Sequence, residues 1–216
     1  MIRIILADDH ALVRAGIRAL LEHTPDIEVL AEAGDGLEAL ALVESLQPDI
    51  LLTDLTMPRL NGIETVTRLT AINSKTRVIV VSIHAEEVIV KRALRAGAKG
   101  YLIKSAFKEE LFLALRAVAR GEIYLCVSVA TLVLNDLINN PSQPEMQDPL
   151  DRLSSREREI FQLIVEGKSN RQMAENLHIS VKTVDKHRTN LMKKLQVHDV
   201  TGLMHVALQN QLLYAR

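Results

Sequence analysis

Over its first 120 residues the chain alternates between two hydrophobic periods. Short aliphatic runs, Ile2 to Ala7, Ile27 to Ala33, Ile50 to Thr53, Val78 to Ile83 and Tyr101 to Ile103, are too apolar on both faces for a half-exposed sheet. Strands of that kind belong to a buried parallel sheet. Between them, apolar residues recur three and four apart, as in Leu12, Ile17, Leu20 and Leu21 or Leu37, Leu40, Val43 and Leu46, which is the stripe of an amphipathic helix. A fifth such stretch runs from Phe107 to Arg120. Five strands alternating with five helices predict a doubly wound α/β domain with a five-stranded parallel sheet over residues 1–120.

The pattern then changes. A short helix is predicted from Val127 to Leu137, and Asn139 to Pro149, with three Pro and no basic residue, reads as a linker, so 121–150 joins two domains. In residues 151–216 the helix starts are written in side chains. Ser154 with Glu157, and Ser169 with Gln172, fit the capping box, and Ser180 is placed to cap a third helix. Four helices follow, at about 155–166, 170–177, 181–195 and 199–212. Only His178, Ile179 and Ser180 separate the second from the third, which predicts a helix-turn-helix whose second member enters the DNA major groove.

Composition narrows the function classes. The chain of 216 residues is 48% hydrophobic and 25% charged, ordinary for a globular protein. Its single cysteine, Cys126, excludes an intrachain disulfide framework and a Cys-based zinc site. No export signal or stretch long enough for a membrane span is visible, so a cytoplasmic protein without a membrane partner is expected. The net charge of −1 argues at first against nucleic acid. Divided, however, residues 1–125 carry 15 Lys+Arg against 17 Asp+Glu, 126–149 carry three acids and no base, and 150–216 carry 11 against 7. A basic unit on an acidic one points to an anionic partner for the last third.

In an open parallel sheet, ligands bind beyond the carboxyl ends of the strands. There the sequence sets Asp8 and Asp9 after the first strand, Asp54 after the third, Ser82 after the fourth and Lys104 after the fifth. Each alone has a plain structural explanation, such as helix capping by Asp8 or Asp9. Together they place three acids, a hydroxyl and an ammonium on one rim. Clustered carboxylates raise one another's pKa, and a hard divalent cation relieves this; an all-oxygen site suits Mg²⁺. One carboxylate can then accept a phosphoryl group as an acyl phosphate, with Lys104 stabilising the transferred charge. Asp54 is the nucleophile candidate, because its strand is expected to be central and the loop Leu55 to Gly62 wraps the site.

The segments "LADDH", "TDLTMPRLNGIE" and "KGYLIKS", with Ser82, resemble the receiver domain of bacterial response regulators over residues 1 to about 120. The resemblance implies Asp54 as phospho-acceptor, Asp8 and Asp9 as the acidic pair placing Mg²⁺, and the backbone carbonyl of Thr56 as a further ligand. It makes Ser82 and Tyr101 the switch pair and Lys104 the ion-pairing cation. Ser105 stands where many receivers have a proline after a cis bond, which here would cost about 3 kcal/mol.

The stretch from Leu153 to Leu195 resembles the LuxR-type helix-turn-helix, and the two domains in this order resemble the NarL/FixJ family of response regulators. On the third helix, Val184, His187, Arg188, Leu191 and Leu195 share an inward stripe. Lys182, Asp185, Lys186, Thr189, Asn190 and Lys193 form the opposite face. Ser169, Asn170, Lys182, Thr183, Asp185, Lys186, Thr189 and Lys193 are the expected DNA contacts; the resemblance places Asp185, Lys186 and Thr189 at bases. A carboxylate at Asp185 can accept from cytosine N4, or it is a solvated acid or the ion-pair partner of Arg188 or Lys182. The apolar residues Val200, Leu203, Val206, Ala207 and Leu208 exceed what so small a domain obviously needs, which suggests a dimer contact.

The resemblance implies a two-component response regulator. A partner sensor histidine kinase phosphorylates Asp54, and this controls binding to double-stranded promoter DNA by a homodimer, with RNA polymerase as a further partner. Two rivals remain at this stage. A Mg²⁺ phosphohydrolase is disfavoured because no second acid stands two residues after Asp54. The other is a DNA-binding protein whose first domain only dimerises.

Overall fold

The computed structural model describes residues 1–22, 24–104, 107–139 and 149–209. The chain divides into two compact units, Met1–Ser142 and Gln143–Arg216.

The first unit contains β1 (Ile2–Ala7), α1 (Ala11–Leu21), β2 (Ile27–Ala33), α2 (Gly36–Leu46), β3 (Ile50–Asp54) and α3 (Gly62–Ala71). It continues with β4 (Arg77–Ser82), α4 (Glu87–Ala96), β5 (Gly100–Ile103), α5 (Phe107–Ala119), β6 (Tyr124–Leu125) and α6 (Val127–Asn139). All neighbouring strands pair in parallel, in the order β2-β1-β3-β4-β5-β6. Every residue of β3 is buried, as are Ile4 to Ala7 of β1 and Val78 to Ser82 of β4. This two-sided burial is why these runs lack alternation. Strand order reverses beside β1, whose neighbours are β2 and β3, so the rim beyond β1 and β3 is the crevice where a doubly wound sheet takes its ligand.

The sheet has six strands where five were expected. After α5 the chain turns at Gly121 (φ 90°) and lies along β5, with Tyr124 N donating to Lys99 O (3.0 Å) and Cys126 N to Tyr101 O (3.1 Å). Two residues are too few to show a hydrophobic period. The segment after Gly121 also contributes to the core of the first unit, where Cys126 and Val129 are buried and α6 packs against α4. Strand four ends at Ser82 rather than Ile83, which is 70% exposed. The linker residues 140–148 and the Lys104–Ser105 bond lie outside the described residues.

The second unit begins with a 3-10 turn, Pro149–Arg152, followed by α7 (Ser155–Val165), α8 (Asn170–Asn176), α9 (Val181–Leu195) and α10 (Val200–Gln209). Both capping boxes form. Ser154 and Ser169 each accept from the backbone N–H three residues on, and Glu157 and Gln172 accept in return from the cap N–H groups. Each such cap stabilises its helix by about 1 kcal/mol. Ser180 caps α9 by accepting from Thr183 N at 3.1 Å. Four residues, 177–180, separate α8 from α9 where three were expected, and among them His178 takes the left-handed backbone (φ 51°) that makes the turn. The core is built from Leu153, Ile160, Phe161, Met173, Val184, Leu191 and Leu203, among others.

One expectation changes here. Leu203 and Ala207 of α10 are fully buried in their own unit, so that helix is less rich in spare apolar surface than its sequence suggested. Periodicity cannot tell a residue facing its own core from one facing a partner. The side chain of Leu208 lies outside the described residues. Among the described residues, no helix is long and apolar enough to cross a membrane.

Candidate functional site

The rim of the first unit is assembled from strand ends. Asp54 is the last residue of β3 and Asp8 follows the last residue of β1; both are buried. Lys104 follows β5, and its Nζ donates to Asp8 Oδ2 at 2.8 Å and to Asp54 Oδ2 at 2.9 Å. The other oxygen of Asp54 accepts from Leu55 N at 2.7 Å, and that of Asp8 from His10 N at 2.8 Å. Burial pushes the Asp54 carboxyl above its ordinary range; Lys104 pulls against this and the charge of Asp8 adds to it. Burial opposes the charge on Lys104, but Asp54 and Asp8 outweigh it and hold the ammonium above its ordinary pKa.

Asp9 is exposed and receives the His10 imidazole, whose Nδ1 lies 2.7 Å from Asp9 Oδ1 and 3.2 Å from Asp8 Oδ1. Asp8, Asp9, His10 and Asp54 each offer one ligand atom, all within 4.8 Å of one another. Three carboxylates at this spacing, one of them buried with its pKa driven up, fit a hard divalent cation. Thr56, half-buried two residues beyond β3, lies in the loop between β3 and α3. That loop is tied down at both ends. Gly62 N donates to Leu55 O at 2.9 Å, and Gly62 sits so close that a Cβ there would fall 2.1 Å from Asp54 O. Gly36 N donates to Leu60 O, and the Arg59 guanidinium holds Asp35, which caps α2.

Ser82 and Tyr101 converge on one residue. Ser82 ends β4, next to β3 in the sheet, and its Oγ accepts from His84 N at 3.0 Å. Tyr101 is fully buried in β5, and its hydroxyl donates to His84 O at 2.8 Å. The β4–α4 connection is thus held from both sides at His84. The sequence reading missed His84, because it acts through its main chain. It also missed Arg14, whose Nη1 donates to Asp8 O at 2.5 Å while its Nε pairs with Glu32.

The second unit presents a different surface. Lys182, Lys186 and Lys193 are exposed on α9 and have no ion pair or hydrogen bond among the described residues. The hydroxyls expected at DNA are engaged within the unit. Ser169 caps α8, Thr183 Oγ1 lies 2.8 Å from Ser180 Oγ, and Thr189 donates to Asp185 O at 2.9 Å. Asp185 has neither Arg188 nor Lys182 as an ion-pair partner; its Oδ1 accepts from Asn170 Nδ2 at 2.5 Å. Asn170 in turn accepts from the Arg188 guanidinium. The inward stripe of α9 is as expected, with Val184, Leu191 and Leu195 buried and His187 and Arg188 half-buried.

Comparisons with known proteins agree with both halves. Residues 4–116 match the response regulator receiver domain, and residues 151–207 match the LuxR family of bacterial regulatory proteins. The oxygen regulatory protein NreC of Staphylococcus aureus is 39% identical over 214 residues, covering 98% of this chain and 99% of NreC. The response regulator RcsB in complex with DNA is similar in structure at a TM-score of 0.59 and 27% identity, with 97% of this chain and 98% of RcsB covered. The receiver domain of NarL from Mycobacterium tuberculosis matches at a TM-score of 0.55 and 35% identity, covering 56% of this chain and 98% of that domain. With a receiver and a LuxR-type domain in this order, matched along nearly its whole length, the chain belongs to the NarL/FixJ family of two-component response regulators, transcriptional regulators that bind DNA.

Proposed function

We propose that residues 1–120 form a phospho-receiver, that 121–150 carry the short helix and tether, and that 151–216 read promoter DNA. In this reading Asp54 accepts a phosphoryl group from a sensor histidine kinase, and its modification controls DNA binding. The observation that carries it is the Lys104 ammonium bridging Asp8 and Asp54. A half-buried cation so placed leaves one carboxylate ionised and nucleophilic among like charges, and stands ready for the extra negative charge of a phosphoryl group.

The carboxylates of Asp8, Asp9 and Asp54 and the carbonyl of Thr56 would hold Mg²⁺, which when bound would neutralise charge on the phosphoryl oxygens. The chain supplies the rest. Lys104 orients Asp54, and the buried strand end limits water around the acyl phosphate. Ser82 is the hydroxyl that turns toward a phosphoryl oxygen. Turning would release His84 N, and the β4–α4 connection would then shift against Tyr101. That is a local charge event biasing a two-state element. A shift from 1:99 to 99:1 takes about 5.5 kcal/mol of differential stabilisation.

On α9, Lys182, Lys186 and Lys193 would meet phosphates and Asp185, Lys186 and Thr189 would approach bases. At the start of α8 the backbone N–H of Asn170 would meet a phosphate with the Ser169 hydroxyl beside it, the Ser169 N–H being held by Gln172, and Thr183 would lie beside the DNA backbone. The structures similar to this chain include two RcsB dimers bound to two parallel DNAs, which supports a homodimer as the active form. RNA polymerase at the promoter is the downstream partner, and the cytoplasm is where kinase, regulator and DNA meet. Footprinting across the genome, with and without a small acyl-phosphate donor, tests the reading. Discrete sites occupied more fully by the phosphorylated protein are expected; the same occupancy in both states would contradict phosphoryl control.

A further inference from the structure

We propose that Asn170 and Arg188 are positioning residues for base readout by Asp185, and that Asp185 makes the protein select cytosine at one position of each half-site. The inference rests on the reading of α9 as the helix in the major groove. Three observations carry it.

Asn170 is the first residue of α8, yet both ends of its amide are occupied by α9. Its Nδ2 donates to Asp185 Oδ1 at 2.5 Å, and its Oδ1 accepts from the guanidinium of Arg188. Residues three apart on a helix share a face, so Asp185 and Arg188 receive the amide side by side. The side chain of Asn170 therefore clasps the recognition helix and is not free for a phosphate.

The polarity of the chain runs one way. The guanidinium donates to the amide oxygen, which strengthens the amide N–H as a donor to the carboxylate. Asp185 is exposed on a face of unpaired lysines, where a mobile carboxylate would repel phosphate on either side. Held at Oδ1, the carboxylate is ordered before DNA arrives, so less side-chain entropy is lost on binding.

Asp185 Oδ2 has no hydrogen bond among the described residues. A carboxylate oxygen is an acceptor only, and the major-groove group that answers it is an exocyclic amine; the cytosine N4 amine is the usual partner of Asp. Lys182 and Lys186, exposed on the same helix, keep the carboxylate within an overall favourable field for DNA.

The test is selection from a random-sequence duplex pool by the full-length, phosphorylated chain, followed by affinity measurement on the selected site and its single-base variants. For the wild type, one position per half-site prefers cytosine by about tenfold. Asp185→Ala loses that preference alone. Asp185→Asn, whose amide donates as well as accepts, moves it toward adenine, an outcome that a misfolded variant could not produce. Asn170→Ala flattens the same position and leaves the others unchanged. The proposal is overturned if Asn170→Ala weakens all sequences evenly with base preference intact, as loss of a phosphate contact would. It is also overturned if Asp185→Ala keeps the wild-type preference. A wild-type chain that selects no sequence would overturn this inference and, unlike the other two results, the DNA-binding reading beneath it.

Discussion

In the first unit Lys104 reaches Asp8 and Asp54 from 96 and 50 residues away along the chain, and all three side chains are largely withdrawn from water. In the second unit Lys182, Lys186 and Lys193 lie within one helix of fifteen residues, exposed and unpaired among the described residues. The rim is a product of topology: parallel strands bring their carboxyl ends to one edge whatever their spacing in sequence. The helical face is a product of period alone. The difference separates two uses of charge. A buried charge depends on partners inside the fold and destabilises the protein when one is lost, whereas an exposed charge costs the fold little and is available to an external polyanion.

Removing a lysine from each surface should therefore have unequal effects on stability. Lys104→Met leaves two buried carboxylates facing each other, and urea unfolding of the first unit at neutral pH should show a loss of about 3 kcal/mol. The loss should shrink on acidification, as Asp54 with its raised pKa takes up a proton. The loss should shrink at the alkaline end as well. Because the folded pKa of Lys104 lies above its unfolded value of 10.5, its contribution is complete below 10.5 and is lost as pH rises through the folded value. Lys104→Met should lack that alkaline loss. A variant as stable as wild type at neutral pH would break the comparison.

A smaller effect is expected at Tyr101, which with Ser82 holds the main chain of His84. Tyr101→Phe removes the hydroxyl that donates to His84 O and should cost about 1 kcal/mol in the same unfolding measurement. Its ability to take up a phosphoryl group should persist, since Asp54 is held by Lys104 Nζ and Leu55 N. The smallest stability change should come from the exposed helix, where Lys186→Ala should stay within about 0.5 kcal/mol of wild type. Its signature lies in binding, where the slope of log affinity against log salt should fall by about one. A Lys186→Ala chain destabilised as much as Lys104→Met would erase the distinction.

The same contrast governs what could be read from sequence. The buried parallel sheet was readable because its strands are apolar on both faces, and the rim because Asp8, Asp54, Ser82 and Lys104 stand at or just beyond the ends of those strands. Helix starts in the second unit were readable because Ser154 and Ser169 act on groups three residues away. The edge strand Tyr124–Leu125 was not, because two residues have no period and the pairing comes from β5. His84 and Arg14 escaped for another reason: the first is held by its main chain, and the second reaches a main-chain oxygen of Asp8. Asn170 was assigned to DNA from its place at a helix start, but its side-chain partners lie 15 and 18 residues on, across the turn. In α10, burial of Leu203 and Ala207 in their own unit is a tertiary fact that a helical stripe does not contain.

We propose that Asp54, held by Lys104 beside Asp8, is the phosphoryl acceptor. Intact-protein mass after incubation with a small acyl-phosphate donor and Mg²⁺ tests it most directly. The wild type should gain one phosphoryl mass, only when Mg²⁺ is present, and Asp54→Asn should gain none. An Asp54→Asn protein that still gains the phosphoryl group in a Mg²⁺-dependent way would contradict the account.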